Sequence, residues 1–94
     1  MNYAVGSGWH ALLNEYLPKI KKLGGQLQCN PYEKYGTLQI DVYPLNNDMI
    51  TLLNELENKS ETICEICGSP GVLREKQNWI KTLCSYCLTD HLPL

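Results

Sequence analysis

Cys64–Glu65–Ile66–Cys67–Gly68 and Cys84–Ser85–Tyr86–Cys87 are the two stretches of sequence that decide the fold of this chain. Each contains a C-x-x-C pair, and the segment 68–83 separates the pairs. Two pairs at this spacing are typical of one zinc ion that four thiolates hold in a tetrahedron. Gly68 favours the positive φ with which a chain turns back over such a metal. We therefore predict a structural Zn²⁺ with the ligands Cys64, Cys67, Cys84 and Cys87.

Two disulfides, or four reduced thiols without a metal, are the alternatives to zinc. Nothing else in the chain indicates the oxidising compartment in which disulfides persist. The first three residues have neither the cationic start nor the apolar run of a signal peptide. No stretch reaches the roughly 20 apolar residues that a membrane span needs. The expected protein is reduced and cytoplasmic, without membrane association.

The composition is that of a small globular protein, with 44% hydrophobic and 19% charged residues among 94. A core of this size gains from a metal that contributes folding free energy directly. The net charge of −2 argues against the basic surface that most nucleic-acid-binding domains carry.

Residues 1–60 predict an α-β-β-α unit. Apolar residues at helical spacing predict a first helix from Trp9 to Leu23, with a kink or break at Pro18. Alternating polarity over residues 26–30 and 37–43 predicts a hairpin that the loop 31–36 joins. Its inward face is predicted to contain Leu27, Cys29, Leu38, Ile40 and Val42.

A second helix is predicted from Met49 to about Glu57, with Asn46, Asn47 or Asp48 as its cap and a linker at 58–62. Residues 61–94 then predict a zinc-finger module that packs on the first unit. Val72–Glu75 and Trp79–Leu83 have the pattern of strands, and a short helix is expected from Cys84 to about His91.

A knuckle, a hairpin and a helix in this order are typical of a treble-clef-like zinc finger. The whole chain is thus predicted to be α+β, an α-β-β-α unit followed by that finger. Trp79 and Ile80 are the side chains expected to join the two halves, by contact with one of the first two helices.

Several motifs give the chain a resemblance to a family of small bacterial and phage proteins. They cover most of residues 8–87 and are Gly8–Trp9, Tyr32–Glu33–Lys34–Tyr35–Gly36–Thr37–Leu38, the run from Cys64 to Gly71, and Trp79–Ile80–Lys81–Thr82–Leu83–Cys84. This chain departs from the usual Phe, Arg and Gly of the family at Tyr35, Gln39 and Asn78. Some relatives have His at the last ligand position, which Cys87 fills here. The resemblance implies the fold and the metal, and it implies no reaction.

An enzyme is not expected from this sequence. A catalytic zinc keeps one position open for water, and four cysteines leave none. Gly24–Gly25 lacks the context of a phosphate-binding loop. The two histidines, His10 and His91, lie near opposite ends of the chain, and His91 is an alternative zinc ligand with poorer spacing than Cys87.

The sequence favours a protein-binding module. Six tyrosines and two tryptophans are more than one small core buries, and tyrosine is favoured at protein interfaces. An acidic balance suits a basic partner, such as a protein that handles nucleic acid. A phage or mobile-element inhibitor and an immunity-type protein are concrete versions, and a nucleic-acid-binding zinc finger is the alternative. The residues predicted to contact a partner are Tyr32, Tyr35, Tyr43 and Asp41.

Overall fold

The computed structural model describes residues 5–76 and 79–90 and shows an α+β chain. A 3-10 turn (Ser7–Trp9) leads into α1 (His10–Lys22), and the later helices are α2 (Asn47–Ser60) and α3 (Ser85–Asp90). The strands are β1 (Gln26–Leu27), β2 (Tyr32–Lys34), β3 (Thr37–Gln39), β4 (Val42–Tyr43), β5 (Val72–Lys76) and β6 (Trp79–Leu83). The predicted order of helices and hairpins is therefore confirmed over the described residues.

Helix α1 continues through Pro18, so of the predicted kink or break the break is wrong, while the continuation of the apolar stripe past Pro18 is confirmed by the buried Ile20. Pro18 is exposed, while Leu13, Tyr16 and Ile20 are buried. A proline inside a helix removes one backbone hydrogen bond, and its ring crowds the carbonyl four residues earlier. On this solvent-facing side the ring leaves the buried stripe intact.

The first hairpin is a nested pair of short antiparallel ladders. β1 pairs with β4 at its base, and β2 pairs with β3 at its tip. The predicted loop at 31–36 is too long, because β2 occupies half of it. The turn is Tyr35–Gly36, whose φ values of 54° and 78° are the positive pair that a tight type I′ turn requires.

The core lies between α1, α2 and the inward face of the first hairpin. Leu38, Ile40 and Val42 are buried as predicted, whereas Leu27 and Cys29 are exposed. Both misplaced residues belong to the short first strand region, which ends before a regular alternation is established. The other large buried side chains are Trp9, Leu12, Leu13, Tyr16, Ile20, Met49 and Leu56.

Helix α2 is longer than predicted at both ends. Asn46 is its cap, and its side-chain oxygen accepts a hydrogen bond from the Met49 N–H at 2.9 Å. At the other end the Ser60 hydroxyl donates to Glu57 O and accepts from the Leu38 N–H, at 2.6 and 2.9 Å. This buried hydroxyl holds the last turn against β3, so part of the predicted linker is helical.

The 3-10 turn joins the two halves of the chain. The Gly8 N–H donates to Glu65 O at 3.0 Å, and the Trp9 indole N–H donates to Ile63 O at 2.9 Å. The Ser7 hydroxyl donates to Ile66 O at 3.1 Å. The first helix therefore begins on the backbone of the first C-x-x-C pair.

The tip of the first hairpin makes a second junction. The Thr82 hydroxyl donates to Gly36 O at 2.6 Å, and a Cβ at Gly36 would lie 2.6 Å from Leu73 Cδ1 and 3.2 Å from Ile80 Cγ2. Ile80 thus lies at a junction, although at the hairpin tip rather than on a helix. The side chain of Trp79 lies outside the described residues, and the division of the chain after residue 60 stays a prediction.

We expect Gly8→Ala to destabilise the protein more than Gly24→Ala. An added Cβ at Gly8 would overlap the backbone carbonyl of Cys64 and lie 2.7 Å from Gly68 N. Neither is a side chain that can turn away, so a cost of about 1–3 kcal/mol or more is expected. Gly24 has φ +85° and open space around it, so its substitution measures the backbone cost alone. Urea denaturation of both variants measures the difference, and an equal loss of stability would contradict the junction.

Candidate metal centre

Four cysteine sulfurs converge at the C-terminal end of the described chain. Cys64, Cys67, Cys84 and Cys87 each offer one Sγ atom, and all four atoms lie within 4.8 Å of one another. The Cys67 and Cys84 sulfurs are 3.6 Å apart, and all four cysteines are free. A disulfide bond is about 2.05 Å long, so the predicted alternative of two disulfides does not describe this structure.

The spacing of the sulfurs matches a metal tetrahedron. Zinc–sulfur bonds of about 2.3 Å place the corners of a tetrahedron about 3.8 Å apart. The cluster therefore could hold a metal ion with only small movements of its side chains. A tetrahedral set of four thiolates is typical of zinc or of an iron–sulfur centre.

The first pair lies on a tight knuckle. The Cys64 N–H donates to Ser69 O at 2.7 Å, and the Gly68 N–H donates back to Cys64 O at 2.9 Å. Gly68 has φ +84°, which is the left-handed conformation predicted for it. These bonds fold the segment back on itself, so that the sulfurs of Cys64 and Cys67 point the same way.

The second hairpin brings the other pair to the knuckle. β5 and β6 pair in a regular antiparallel register from Val72↔Leu83 to Lys76↔Trp79. The Glu65 N–H donates to Thr82 O at 3.0 Å, which fixes the end of β6 beside the knuckle. Cys84 follows directly, and Cys87 lies in the first turn of α3, where its N–H donates to the Cys84 sulfur at 3.4 Å.

The local environment favours ionised sulfur at the knuckle. Hydrogen bonds from Ser69 lower the pKa of the Cys67 thiol to about 6. Burial raises the pKa of the Cys64 thiol, but backbone hydrogen bonds from Cys84, Cys67 and Ile66 outweigh burial and leave that pKa below its usual value. Metal binding needs thiolates, so two of the ligands are prepared for it.

The surroundings of Cys87 instead favour its protonated thiol. Burial, and after it the neighbouring sulfurs, raise the pKa of its thiol. A fourth negative charge in a buried cluster of sulfurs is costly unless a cation neutralises it. The cluster is thus complementary to a metal cation, and the ionisation of Cys87 is expected to accompany metal binding.

A buried carboxylate lies between the knuckle and the second hairpin. Glu65 is 5% exposed, and its Oε1 lies 3.2 Å from Lys81 Nζ. Its Oε2 is buried and has no hydrogen-bond partner among the described residues. Burial raises the pKa of the Glu65 carboxyl, which the Lys81 ammonium only partly offsets. Lys81 also lies 3.8 Å from Glu33 Oε1, so it connects the knuckle to the first hairpin.

Sequence reasoning missed Glu65 and the 3-10 turn as parts of this centre. A glutamate within a C-x-x-C pair gives no sign of whether it will be buried. The signal for the turn was Gly6–Ser7–Gly8, because two glycines beside a helix start permit close backbone approach. A Cβ at Gly6 would overlap Glu65 O, which explains why small residues precede α1.

The residues predicted to contact a partner are divided by the structure. The Tyr32 hydroxyl donates to both carboxylate oxygens of Asp41, at 3.1 and 3.2 Å, so these two residues form a pair. Tyr35 lies at the hairpin tip and is 70% exposed, and Tyr43 lies at its base and is 69% exposed. Tyr35 and Tyr43 therefore lie at opposite ends of the first hairpin, and a role of the four residues in binding a partner stays a prediction.

Cys29 is exposed, which corrects the prediction that it is buried as a small hydrophobe. Its thiol donates to Asp41 Oδ2 at 3.6 Å. Partial desolvation and this hydrogen bond raise the pKa of the Cys29 thiol. The predicted alternative ligand His91 lies outside the described residues.

Comparison of the chain with protein-family models, curated proteins and solved structures gives no match. The resemblance to a family of small bacterial and phage proteins therefore stays a prediction. Within the described residues, no helix has the length and apolar character needed to cross a membrane.

Cys67→Ser and Cys84→Ser are expected to lose the metal and unfold the C-terminal third of the chain. A serine hydroxyl does not replace a thiolate, so affinity should fall by well over the roughly 100-fold loss typical of changes outside the ligand set. The segment 1–60 should remain at least partly helical. Metal analysis and circular dichroism measure both effects.

Cys29→Ser is the matched control, because it also replaces a thiol by a hydroxyl, but at a cysteine outside the sulfur cluster. The Cys29 sulfur instead lies 3.6 Å from Asp41 Oδ2. It is expected to retain the full metal content. Full metal content and unchanged thermal stability in Cys67→Ser would contradict the assignment.

Lys81→Met is expected to cost roughly 2 kcal/mol, less than the roughly 3–5 kcal/mol of a fully buried pair because Lys81 is partly exposed. The change leaves the Glu65 carboxylate buried without its cation. The double variant Glu65→Gln/Lys81→Met should recover part of this loss, since neither partner is then charged. Urea denaturation of the two single variants and the double variant measures the coupling, and additive losses would contradict it.

Proposed function

We propose that the chain is a non-enzymatic protein-binding module that a structural zinc ion holds together. The observation that carries the zinc is the convergence of four cysteine sulfurs within 4.8 Å. Four thiolates fill every position of a tetrahedral ion, which leaves none for the water or substrate of a catalytic zinc. The metal in this proposal supplies folding free energy and no chemistry.

A treble-clef-like finger is the architecture we propose for the module. The order of the knuckle, the β5–β6 hairpin and α3 supports it, as does the entry of the last two ligands at the start of α3. Five free cysteines support a reducing compartment, and we propose a cytoplasmic location.

Protein binding is supported by what the described surface presents. Tyr35, Tyr43 and Tyr86 are each at least 69% exposed, and Leu45 is 60% exposed. Exposed apolar residues are common singly, but tyrosine is enriched at protein interfaces because it supplies a large contact area at a low entropic cost.

The partner is proposed to be basic, because the charge of the chain is uneven. Residues 33–61 contain six carboxylates and two lysines. The net charge of the whole chain is only −2, so the negative charge is concentrated in this segment. A protein that handles nucleic acid has the complementary surface. An inhibitor from a phage or mobile element, or an immunity-type protein, would act through such a surface, and the resemblance supports these versions.

Nucleic-acid binding is the alternative function, and the contacts of the finger favour it less. Of its cations, Arg74 donates through Nε to Leu83 O at 3.3 Å, and Lys81 lies between two glutamates. Cations held in this way are poorly placed to follow a phosphate backbone.

One zinc ion per chain is the expected result of metal analysis on the purified protein. Cobalt substitution should give the absorption spectrum of a tetrahedral thiolate site. An iron–sulfur spectrum, or no bound metal, would overturn the proposed zinc.

Binding is tested with the zinc-loaded protein in two ways. Cross-linking and affinity capture from a bacterial lysate should recover a basic protein at a defined stoichiometry. Electrophoretic mobility of DNA and RNA should stay unchanged even at low salt, where electrostatic binding is strongest. Retardation of nucleic acid without capture of a protein would favour the alternative.

A further inference from the structure

Two adjoining cavities share part of their lining and together make up one groove between α2 and β3. The first has a volume of about 230 Å³, the second has a volume of about 460 Å³, and both are lined by Gln39 and Glu57. We name it the α2–β3 groove and define it by the side chains that the argument uses. These are Tyr35, Leu45, Ile50, Leu53, Glu57 and Glu61.

One face of α2 forms a wall of the groove. Ile50, Leu53, Glu57 and Glu61 follow one another at intervals of three or four positions, which places them on one side of the helix. Met49, Leu56 and Ser60 are buried on another side. The groove face therefore adjoins the core face of α2, since Leu53 also packs against the core and Leu56 also lines the first cavity.

The two ends of the groove differ in chemistry. At the end near the start of α2, Leu45 is 60% exposed and Ile50 is 44% exposed, and Leu53 lines the floor beside them. At the other end Glu57 and Glu61 line the wall together with Tyr35. An apolar end and an acidic end are thus joined in one depression.

The acidic end also contains the last turn of α2, where the helix dipole adds partial negative charge. Among the described residues that line this end, Lys34 is the one cation, and its Nζ lies 5.9 Å from the centre of the Tyr35 ring. Lys59, on the same turn, lies 3.5 Å from Glu15 and 5.0 Å from the Tyr16 ring. Its charge is directed toward α1, so the carboxylates of Glu57 and Glu61 dominate the groove.

We propose that the α2–β3 groove binds a cationic, amphipathic segment of the protein partner. Aliphatic side chains of this segment contact Leu45, Ile50 and Leu53. Lys or Arg side chains of the same segment pair with Glu57 and Glu61. This inference rests on the proposed function and names the chemistry that the partner presents. Charge complementarity to an acidic groove gives both specificity and fast association.

The length of the groove fixes the length of the segment. From Ile50 to Glu61 the helix rises by about 16 Å. A helix of about three turns spans this distance, as does an extended segment of about five residues. The basic side chains then lie about 6 Å from the nearest aliphatic one, which is the separation of Leu53 and Glu57 along α2.

A second apolar groove, of about 530 Å³, lies between the end of α1 and β1 and is lined in part by Leu17, Lys21 and Leu27. Its charge is opposite, because its lining by described residues contains Lys21 and no carboxylate. A basic segment is repelled there. Chemical-shift mapping distinguishes binding at this second groove from binding at the α2–β3 groove.

The test is a selection of displayed random peptides, each long enough to span the groove as a helix, on the immobilised, zinc-loaded full chain. Selected peptides are expected to combine a pair of aliphatic residues with at least two Lys or Arg. Chemical-shift changes in the labelled protein should lie on α2 and β3. Peptides without an excess of basic residues, or shifts confined to Leu17, Lys21 and Leu27, would overturn the groove.

Glu57→Lys/Glu61→Lys is expected to weaken a selected peptide at least tenfold. Glu55→Lys is the matched control, since Glu55 is exposed and lies two positions, about 200°, around the helix from Glu57. It should change the affinity less than twofold. A peptide with its Lys and Arg replaced by Glu should bind the double variant better than the wild type, which excludes misfolding as the cause.

The two proposals fail in different ways. Peptides that bind the double variant and the wild type equally would overturn the groove and leave a protein-binding module intact. Failure to select any peptide, together with failure to capture any protein, would overturn the proposed function itself.

Discussion

Four sulfurs within 4.8 Å are the constraint on which the rest of this structure depends. Thiolates at this separation repel one another, and a buried thiol such as Cys87 resists ionisation. A cation at the centre reverses both effects, because it attracts every sulfur and lowers the cost of each negative charge. The knuckle, the second hairpin and α3 are small elements that bury few side chains, so a metal bound by the four cysteines would replace the core they lack.

The contacts of the knuckle and of β6 extend beyond the four cysteines. The backbone of the knuckle and of the residue before it accepts hydrogen bonds from Ser7, Gly8 and Trp9, and the end of β6 holds Gly36. Trp9 is fully buried in the core between α1, α2 and the first hairpin, yet its indole N–H donates to Ile63 O. One residue thus connects the helical core with the metal centre, and the two halves stabilise each other.

Sequence reasoning succeeded where one physical signal was strong. The spacing of the cysteines predicted their convergence, Gly68 predicted the positive φ of the knuckle, and Asn46 was among the predicted caps of α2. It failed where tertiary contacts determine the burial or the secondary structure of a residue. The exposure of Cys29 depends on where the first ladder is interrupted, and the helical state of 58–60 depends on the bonds of the Ser60 hydroxyl. The burial of Glu65 depends on Lys81, which belongs to a different element and is distant in the chain.

The contacts of the 3-10 turn also bear on the order of events during synthesis. Ser7 meets Ile66, a separation of 59 residues, although α1 begins at His10, directly after the turn. The ribosome releases residues 7–9 before residues 63–66, so the turn has no hydrogen-bond partners there until the first C-x-x-C pair has emerged. Contacts between residues so distant in sequence form late, because the loop must close before they contribute. The 3-10 turn is therefore among the last of the described parts to reach its native position.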